Sequence, residues 1–150
     1  MPAVAPAYVG RMLTSTLALG ASDFIQLTTF RRTGEGVPTP VWVVPDGDGL
    51  AVSTPAGTGK LKRLAHTPRV TVAECSRRGR VADGAVAMEA VATVMTDPAE
   101  ADRVGRLLAH KYGLQFTVFM LVERFVVRGD RRREVIHIVP AALAGEAGPR

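Results

Sequence analysis

Between Asp23 and Thr54 the chain passes through stretches rich in β-branched and aromatic residues with only short turns between them. Asp23 to Phe30 reads as a strand on its Ile, Thr and Phe content. Arg32 to Gly36 is a turn, and Pro38 to Val44 is a second strand that pairs with the first as a hairpin. Pro45 to Gly49 is another turn, with aspartates and glycines supplying unusual backbone angles, and Leu50 to Thr54 is a third strand. Parallel neighbours need a crossover of a dozen or more residues, which neither turn provides. The opening of the fold is therefore an antiparallel meander, and a doubly wound parallel sheet is excluded.

Helices enter later. A short helix is predicted over Lys60 to His66, with Pro68 blocking its continuation. Arg69 to Cys75 is a fourth strand and Arg77 to Arg80 a basic loop. Ala85 to Met95 is a fifth strand, with Val86, Met88, Ala90, Ala92 and Val94 on one face. Asp97 is placed to cap a helix, followed by Pro98 in its first turn and Glu100 three residues on. Val104, Leu107, Leu108 and Lys111 mark the face of that helix, and Gly113 stops it. Leu114 to Val127 reads as a further helix that is apolar around most of its circumference, which calls for cover by a second subunit or a ligand; a core strand is the alternative. Glu134 to Val139 is the last strand. Met12 to Leu19 has helical apolar spacing within an N-terminal helical segment over residues 1–22, and residues 141–150 read as a mobile tail rich in Ala and Gly. The expected architecture is α+β and mainly β: an antiparallel barrel with helices packed outside, one domain over residues 1–150.

A chain of 150 residues buries a core without staples, and its lone cysteine, Cys75, excludes an internal disulfide framework and thiolate metal clusters. Met1 to Val9 has no basic region and Arg11 interrupts the apolar run, so no leader is expected; the apolar run around Val118 to Val122 is too short for a bilayer. A cytoplasmic location follows as the expectation. The net charge of +5 admits nucleic acid as a partner, but the basic residues are scattered and aromatics are only 5%, which is poor for stacking bases. Anionic small molecules account for the charge equally well.

The segment Thr54–Pro–Ala–Gly–Thr–Gly–Lys–Leu–Lys–Arg–Leu carries the strongest chemical signal. Gly57 and Gly59 allow a tight turn and close ligand approach, Thr58 offers a hydroxyl, and Lys60, Lys62 and Arg63 supply charge at a helix start. These parts suit a phosphate or polycarboxylate. The spacing is not that of a P-loop, so nucleotide triphosphate hydrolysis is not implied. A strand–loop–helix connection with solvated charges is the plainer alternative.

Elsewhere the candidates are weaker. His66, His110 and His137 have no metal-ligand spacing, and no metal is expected. Cys75 lies near Arg77 and Arg78, which would lower its pKa, though a buried inert thiol is the simpler reading. Tyr112 either donates to a ligand or packs against the helix end. Arg131 to Arg133 is a solvated loop or a means of steering an anionic tail.

Taken in order, Leu27–Thr–Thr–Phe, Pro38–Thr–Pro–Val–Trp–Val–Val, Asp48–Gly–Leu, Ala56–Gly–Thr–Gly–Lys–Leu–Lys–Arg–Leu, Pro68–Arg–Val–Thr–Val–Ala–Glu–Cys, Arg77–Arg–Gly–Arg and Lys111–Tyr–Gly resemble the pyridoxamine-phosphate-oxidase-like split barrels. Within them the chain is most similar to the B-type branch of F420-dependent (deazaflavin) reductases. The resemblance implies a six-stranded split β-barrel and a homodimer with cofactor sites at its interface. It implies a phosphate site at Thr58, Lys60 and Arg63, shaped by Gly57 and Gly59. It implies a ring-binding strand at Thr39, Pro40, Val41 and Trp42, with Thr28 and Thr29 touching the cofactor from the neighbouring strand. Some relatives carry arginine at the position of Thr58 and asparagine at that of Arg63.

The implied activity is hydride transfer from reduced coenzyme F420 to an unsaturated or oxidised small molecule. No catalytic side chain is singled out, because the cofactor carries the chemistry and the protein supplies position and electrostatics. The alternatives are the same barrel with FMN, a noncatalytic protein that binds a flavin or deazaflavin, and, last, a nucleic-acid module, for which no groove-reading motif is present.

Overall fold

The computed structural model of the chain describes residues 15–85, 87–118, 120 and 132–147. Its strands are β1 (Phe24–Phe30), β2 (Gly36–Val41), β3 (Val44–Asp46), β4 (Gly49–Pro55), β5 (Arg69–Cys75), β6 (Met88–Met95) and β7 (Arg133–Pro140). Helices are α1 (residues 15–21), α2 (Gly59–Leu64), α3 (Pro98–Tyr112), α4 (residues 114–118) and α5 (Ala141–Ala147). All strands belong to one seven-stranded sheet in the order β2–β1–β5–β6–β7–β4–β3, and every pairing is antiparallel.

The sheet closes because its two edge strands are consecutive in sequence. β2 ends at Val41 and β3 begins at Val44, so only Trp42 and Val43 separate opposite edges. A chain of that length spans at most roughly 10 Å. The edges must therefore meet at this corner, which curls the sheet into a split barrel. Here the structure corrects the expected second strand, Pro38 to Val44: it breaks at Trp42, and its end joins the other edge as β3. That break accounts for seven strands where six were expected. Pro45 and Asp46, expected in a turn, pair in β3 with Leu50 and Gly49.

Two apolar layers follow from the period-two alternation. Leu50 and Val52 of β4, with Ile136 and Ile138 of β7, point inward with Ile25, Leu27, Val70 and Val72. Ala51 and Val135 point outward and are covered by Val104 and Leu108 of α3. The helix presents these residues four apart on one stripe. Asp97 caps it through Oδ1, which accepts from Ala99 N–H at 3.0 Å, and Gly113 closes it with its N–H on the Ala109 carbonyl at 2.8 Å.

β6 begins at Met88, later than the expected Ala85, and Val86 lies outside the described residues. Met88, Ala90 and Ala92 are buried while Glu89 and Thr93 are exposed, the expected alternation. Of the expected helix over Leu114 to Val127, residues 114–118 and Met120 are helical, and Phe119 and residues 121–127 lie outside the described set. Residues 141–147, expected as tail, form α5. Residues 1–14, in the expected N-terminal helical segment, also lie outside.

Candidate functional site

β4 delivers the chain at Pro55 into the glycine loop. The Ala56 N–H bonds to the Arg132 carbonyl at 2.9 Å, tying the loop to the start of β7. Gly57 takes φ +79°, a left-handed conformation that a side chain would strain. Thr58 sits at the capping position of α2 without making a side-chain cap bond, and its Oγ1 lies 3.5 Å from Thr54 Oγ1. The helix that follows is only six residues long, so the expected anion site at its N-terminal N–H groups gains little from a macrodipole.

The loop cations have separate fates. Arg63 folds back over Gly59, where a Cβ would meet Nη1 at 2.9 Å, and its Nε donates to the buried Thr29 Oγ1 at 2.6 Å. Lys62 is exposed. Lys60 is half-buried; burial pulls its ammonium pKa down, and the nearby Arg63 and Arg133 guanidiniums add to this. Among the described residues Lys60 has no hydrogen-bond acceptor or ion-pair partner.

Lys60 borders a cleft of about 310 Å³. Its apolar wall is built from Phe24 of β1, Pro40 and Val41 of β2, Trp42 in the barrel corner, and Leu108 and Phe116 from the helical layer. Ser53, Thr54 and Pro55 of β4 form the polar side. Arg77 and Arg133 join Lys60 as lining cations, and among the described residues no Asp or Glu lines the cleft. Arg133 is fixed by Nε on Ser53 Oγ at 2.8 Å and Nη2 on the Ser53 carbonyl at 3.0 Å. A groove of about 740 Å³ shares Ser53, Phe116 and Arg133 with the cleft and runs along α3 past Ala101, Gly105 and Ala109.

Trp42 is oriented by aromatic neighbours. Tyr112 stacks on it with centroids 5.0 Å apart and planes 15° from parallel. Phe116 and Phe24 contact it in tilted geometry at 5.8 Å and 6.3 Å. The Tyr112 hydroxyl accepts from Val43 N–H at 3.1 Å and lies 2.8 Å from the Asp23 carbonyl and 2.9 Å from that of Val43. Burial pushes its pKa up. Tyr112 thus holds backbone, which answers the expectation that it donates to a ligand. Lys111 donates to the carbonyls of Gly20, Ser22 and Val43 at 2.7, 2.6 and 2.6 Å. Together the pair pins the corner that carries Trp42.

Of the residues expected at the site, Pro40, Val41, Trp42 and Lys60 come together around the cleft. Thr28, Thr29, Thr39, Gly57, Thr58, Gly59 and Arg63 do not line it; Thr29 and Arg63 bond to each other instead. Phe24, Ser53, Arg77, Leu108, Phe116 and Arg133 line it without having been expected to. The basic runs at 77–80 and 131–133 were the only sequence signal for two of them.

The remaining candidates lie elsewhere. His137 Nε2 is 3.7 Å from Asp46 Oδ2, and His66 lies 3.2 Å from Arg32 Nη2. Among the described residues no group of three His, Cys, Asp or Glu is arranged to hold a metal ion, and no helix is long and apolar enough to cross a membrane. At Cys75 burial, then Glu74, push the thiol pKa up, which agrees with the inert thiol and not with a lowering by Arg77 and Arg78.

Comparison with solved structures finds the same fold at low identity. A conserved hypothetical protein of Mycobacterium tuberculosis is 21% identical with a TM-score of 0.60, over 92% of this chain and 81% of that one. The heme storage protein HutZ of Vibrio cholerae is 13% identical with a TM-score of 0.56, over 90% and 89% of the chains. An F420 reductase is 16% identical with a TM-score of 0.54, over 83% and 91%. No curated protein sequence matches significantly. The antiparallel split barrel and a sequence match over residues 17–145 lead to one assignment: the chain belongs to the pyridoxamine 5'-phosphate oxidase family.

Proposed function

We infer that this protein is an oxidoreductase that uses reduced coenzyme F420, of the B type, to reduce a small organic molecule. The observation that carries the reading is Lys60: a half-buried ammonium that finds no acceptor among the described residues, in a cleft whose described lining has cations and no carboxylate. A half-buried cation of this kind favours an anionic ligand group, here the coenzyme's phosphate. Beside it the Trp42, Phe24 and Phe116 wall suits a flat fused ring, the common design of a small-molecule site. The family match and the F420 reductase of like fold agree with this reading.

The residues present fit the coenzyme. Lys60, with Thr54 beside it, would hold the anionic group, and Pro40, Val41 and Trp42 would flank the ring. The bound deazaflavin supplies hydride as an electron pair. The protein's part is to orient the ring, hold it against an apolar wall, and exclude water through Leu108 and Phe116. FMN also carries a phosphate, as a terminal monoester, and is the alternative ligand of the same residues, with or without turnover. Heme is disfavoured, because none of the described cleft-lining residues is His, Cys, Met or Tyr, the usual axial ligands. A second copy of the chain is the proposed cover for Leu114 and Val118, 78% and 50% exposed and four residues apart in α4.

Equilibrium titration with F420 and with FMN tests the reading. F420 should bind, and Lys60→Ala should weaken it at least about tenfold, the scale of one charge-assisted contact. Unchanged affinity in that variant would remove the loop from the site. Oxidation of reduced F420 by a panel of electron-poor acceptors then tests for turnover.

A further inference from the structure

The chain has three lysines, and each meets a different surrounding. Lys62 is exposed on α2. Lys111 is occupied by the carbonyls of Gly20, Ser22 and Val43, which take up the three hydrogens of its ammonium. Lys60 lines the cleft, half-buried, and among the described residues it has no acceptor to give up before it reacts. Arg63 lies three residues on along the same helix, and Arg133 comes from β7; both face Lys60 as like charges. Burial, then these two guanidiniums, disfavour the ammonium, so the amine with its free lone pair is populated at lower pH than in a solvated lysine. The lining guanidiniums of Arg77 and Arg133 keep their charge when Lys60 loses its own. A nucleophilic amine beside fixed cations suits an electrophile that carries negative charge next to its reacting carbon. Acyl phosphates have that arrangement, with the carbonyl carbon one oxygen away from phosphorus.

We propose that Lys60 is an acylation site, modified by acyl phosphates that the cations of the cleft hold, and that the modification shuts out the coenzyme. The second half rests on the coenzyme reading above; the first does not. In the reaction Lys60 Nζ bonds to the acyl carbon while the bond from that carbon to the phosphate oxygen breaks, its electron pair leaving on phosphate. Of the two protons the nitrogen sheds between ammonium and amide, one goes to solvent and one to the departing phosphate. Nothing is oxidised or reduced. The amide is neutral, so the cleft loses the cation assigned to the coenzyme's phosphate.

The test treats the protein with acetyl phosphate and, separately, with N-acetoxysuccinimide, a neutral donor of the same acetyl group. Arginine-specific digestion releases residues 33–63 as one peptide that holds both Lys60 and Lys62, and its fragment spectra assign each acetyl group. Acetyl phosphate should label Lys60 about tenfold or more faster than Lys62, the scale of one charge-assisted contact, and the neutral donor should lack that preference. Inorganic phosphate should slow labelling of Lys60 and leave Lys62 unaffected. Preferential labelling of Lys62 by acetyl phosphate, equal selectivity with the two donors, or no protection by phosphate overturns the proposal. Protein acetylated at Lys60 should bind F420 at least about tenfold more weakly than protein treated under phosphate protection and then dialysed. Unchanged F420 affinity after labelling overturns the shut-out. Failure of untreated protein to bind F420, with Lys60 labelled selectively, sinks the coenzyme reading and leaves the acylation site standing.

Discussion

Arg63 Nε donates to Thr29 Oγ1 at 2.6 Å, and this bond ties helix α2 to the buried face of strand β1. Two residues expected to contact a cofactor therefore engage each other, while Lys60, one turn earlier in the same helix, keeps its ammonium for the cleft. On the proposed function, structure and ligand binding divide between neighbouring cations.

That division predicts a double dissociation. Arg63→Ala should cost about 1–2 kcal/mol of stability, because Thr29 is fully buried and loses its partner. Lys60→Ala should leave stability unchanged or slightly raised, since burial disfavours its charge, and should instead weaken anion binding. Urea unfolding of both variants, set beside their F420 affinities, checks the pattern; equal losses in both measurements for both residues would contradict it.

Lys111 is a structural cation. Lys111→Met removes the donor from the Gly20, Ser22 and Val43 carbonyls and should destabilise by roughly 2–3 kcal/mol, the cost of leaving shielded acceptors unpaired. Tyr112→Phe should cost about 1 kcal/mol, because the stack on Trp42 survives while the hydroxyl contacts to Val43 and Asp23 are lost. Denaturant midpoints order the two variants.

Trp42 is the sole tryptophan and lines the cleft, so its emission reports occupancy. Adding F420 should change that emission along a saturable curve whose midpoint moves to higher concentration in Lys60→Ala. Emission that ignores F420 while calorimetry records binding would place the ring away from Trp42.

Acid stability should depend on Asp46. Arg103 grips both of its oxygens, Nη1 to Oδ1 at 2.9 Å and Nη2 to Oδ2 at 2.7 Å, and also reaches Glu100 Oε2 at 2.8 Å. The hydrogen bonds from Arg103 hold the Asp46 pKa below the ordinary carboxylate value; burial opposes this, and the Arg103 and His137 charges add to the lowering. In the acid range the unfolded chain then binds more protons than the folded one, so stability rises with pH. The contribution is complete above the ordinary carboxylate pKa and is lost as pH falls through the lowered folded value. Asp46→Asn should flatten this acid limb in a series of thermal melts, leaving the shape near neutrality unaltered.

Much of this fold was legible locally. Arg69–Val72 alternates open and buried positions within one continuous strand, and Asp97, Pro98 and Gly113 bound α3 through their own backbone chemistry. The short turns between early strands already required antiparallel neighbours. Such signals depend on residues a few positions apart, so the sequence contains them in full. The break at Trp42, the meeting of two sheet edges there, and the partner of Arg63 were decided only by tertiary structure. So was the convergence of Lys60, Arg77 and Arg133, which come from α2, the β5–β6 turn and β7. These are contacts across tens of residues, set by barrel closure, and a charge written in the sequence does not say whether a hydroxyl, a carbonyl or an open cleft will face it.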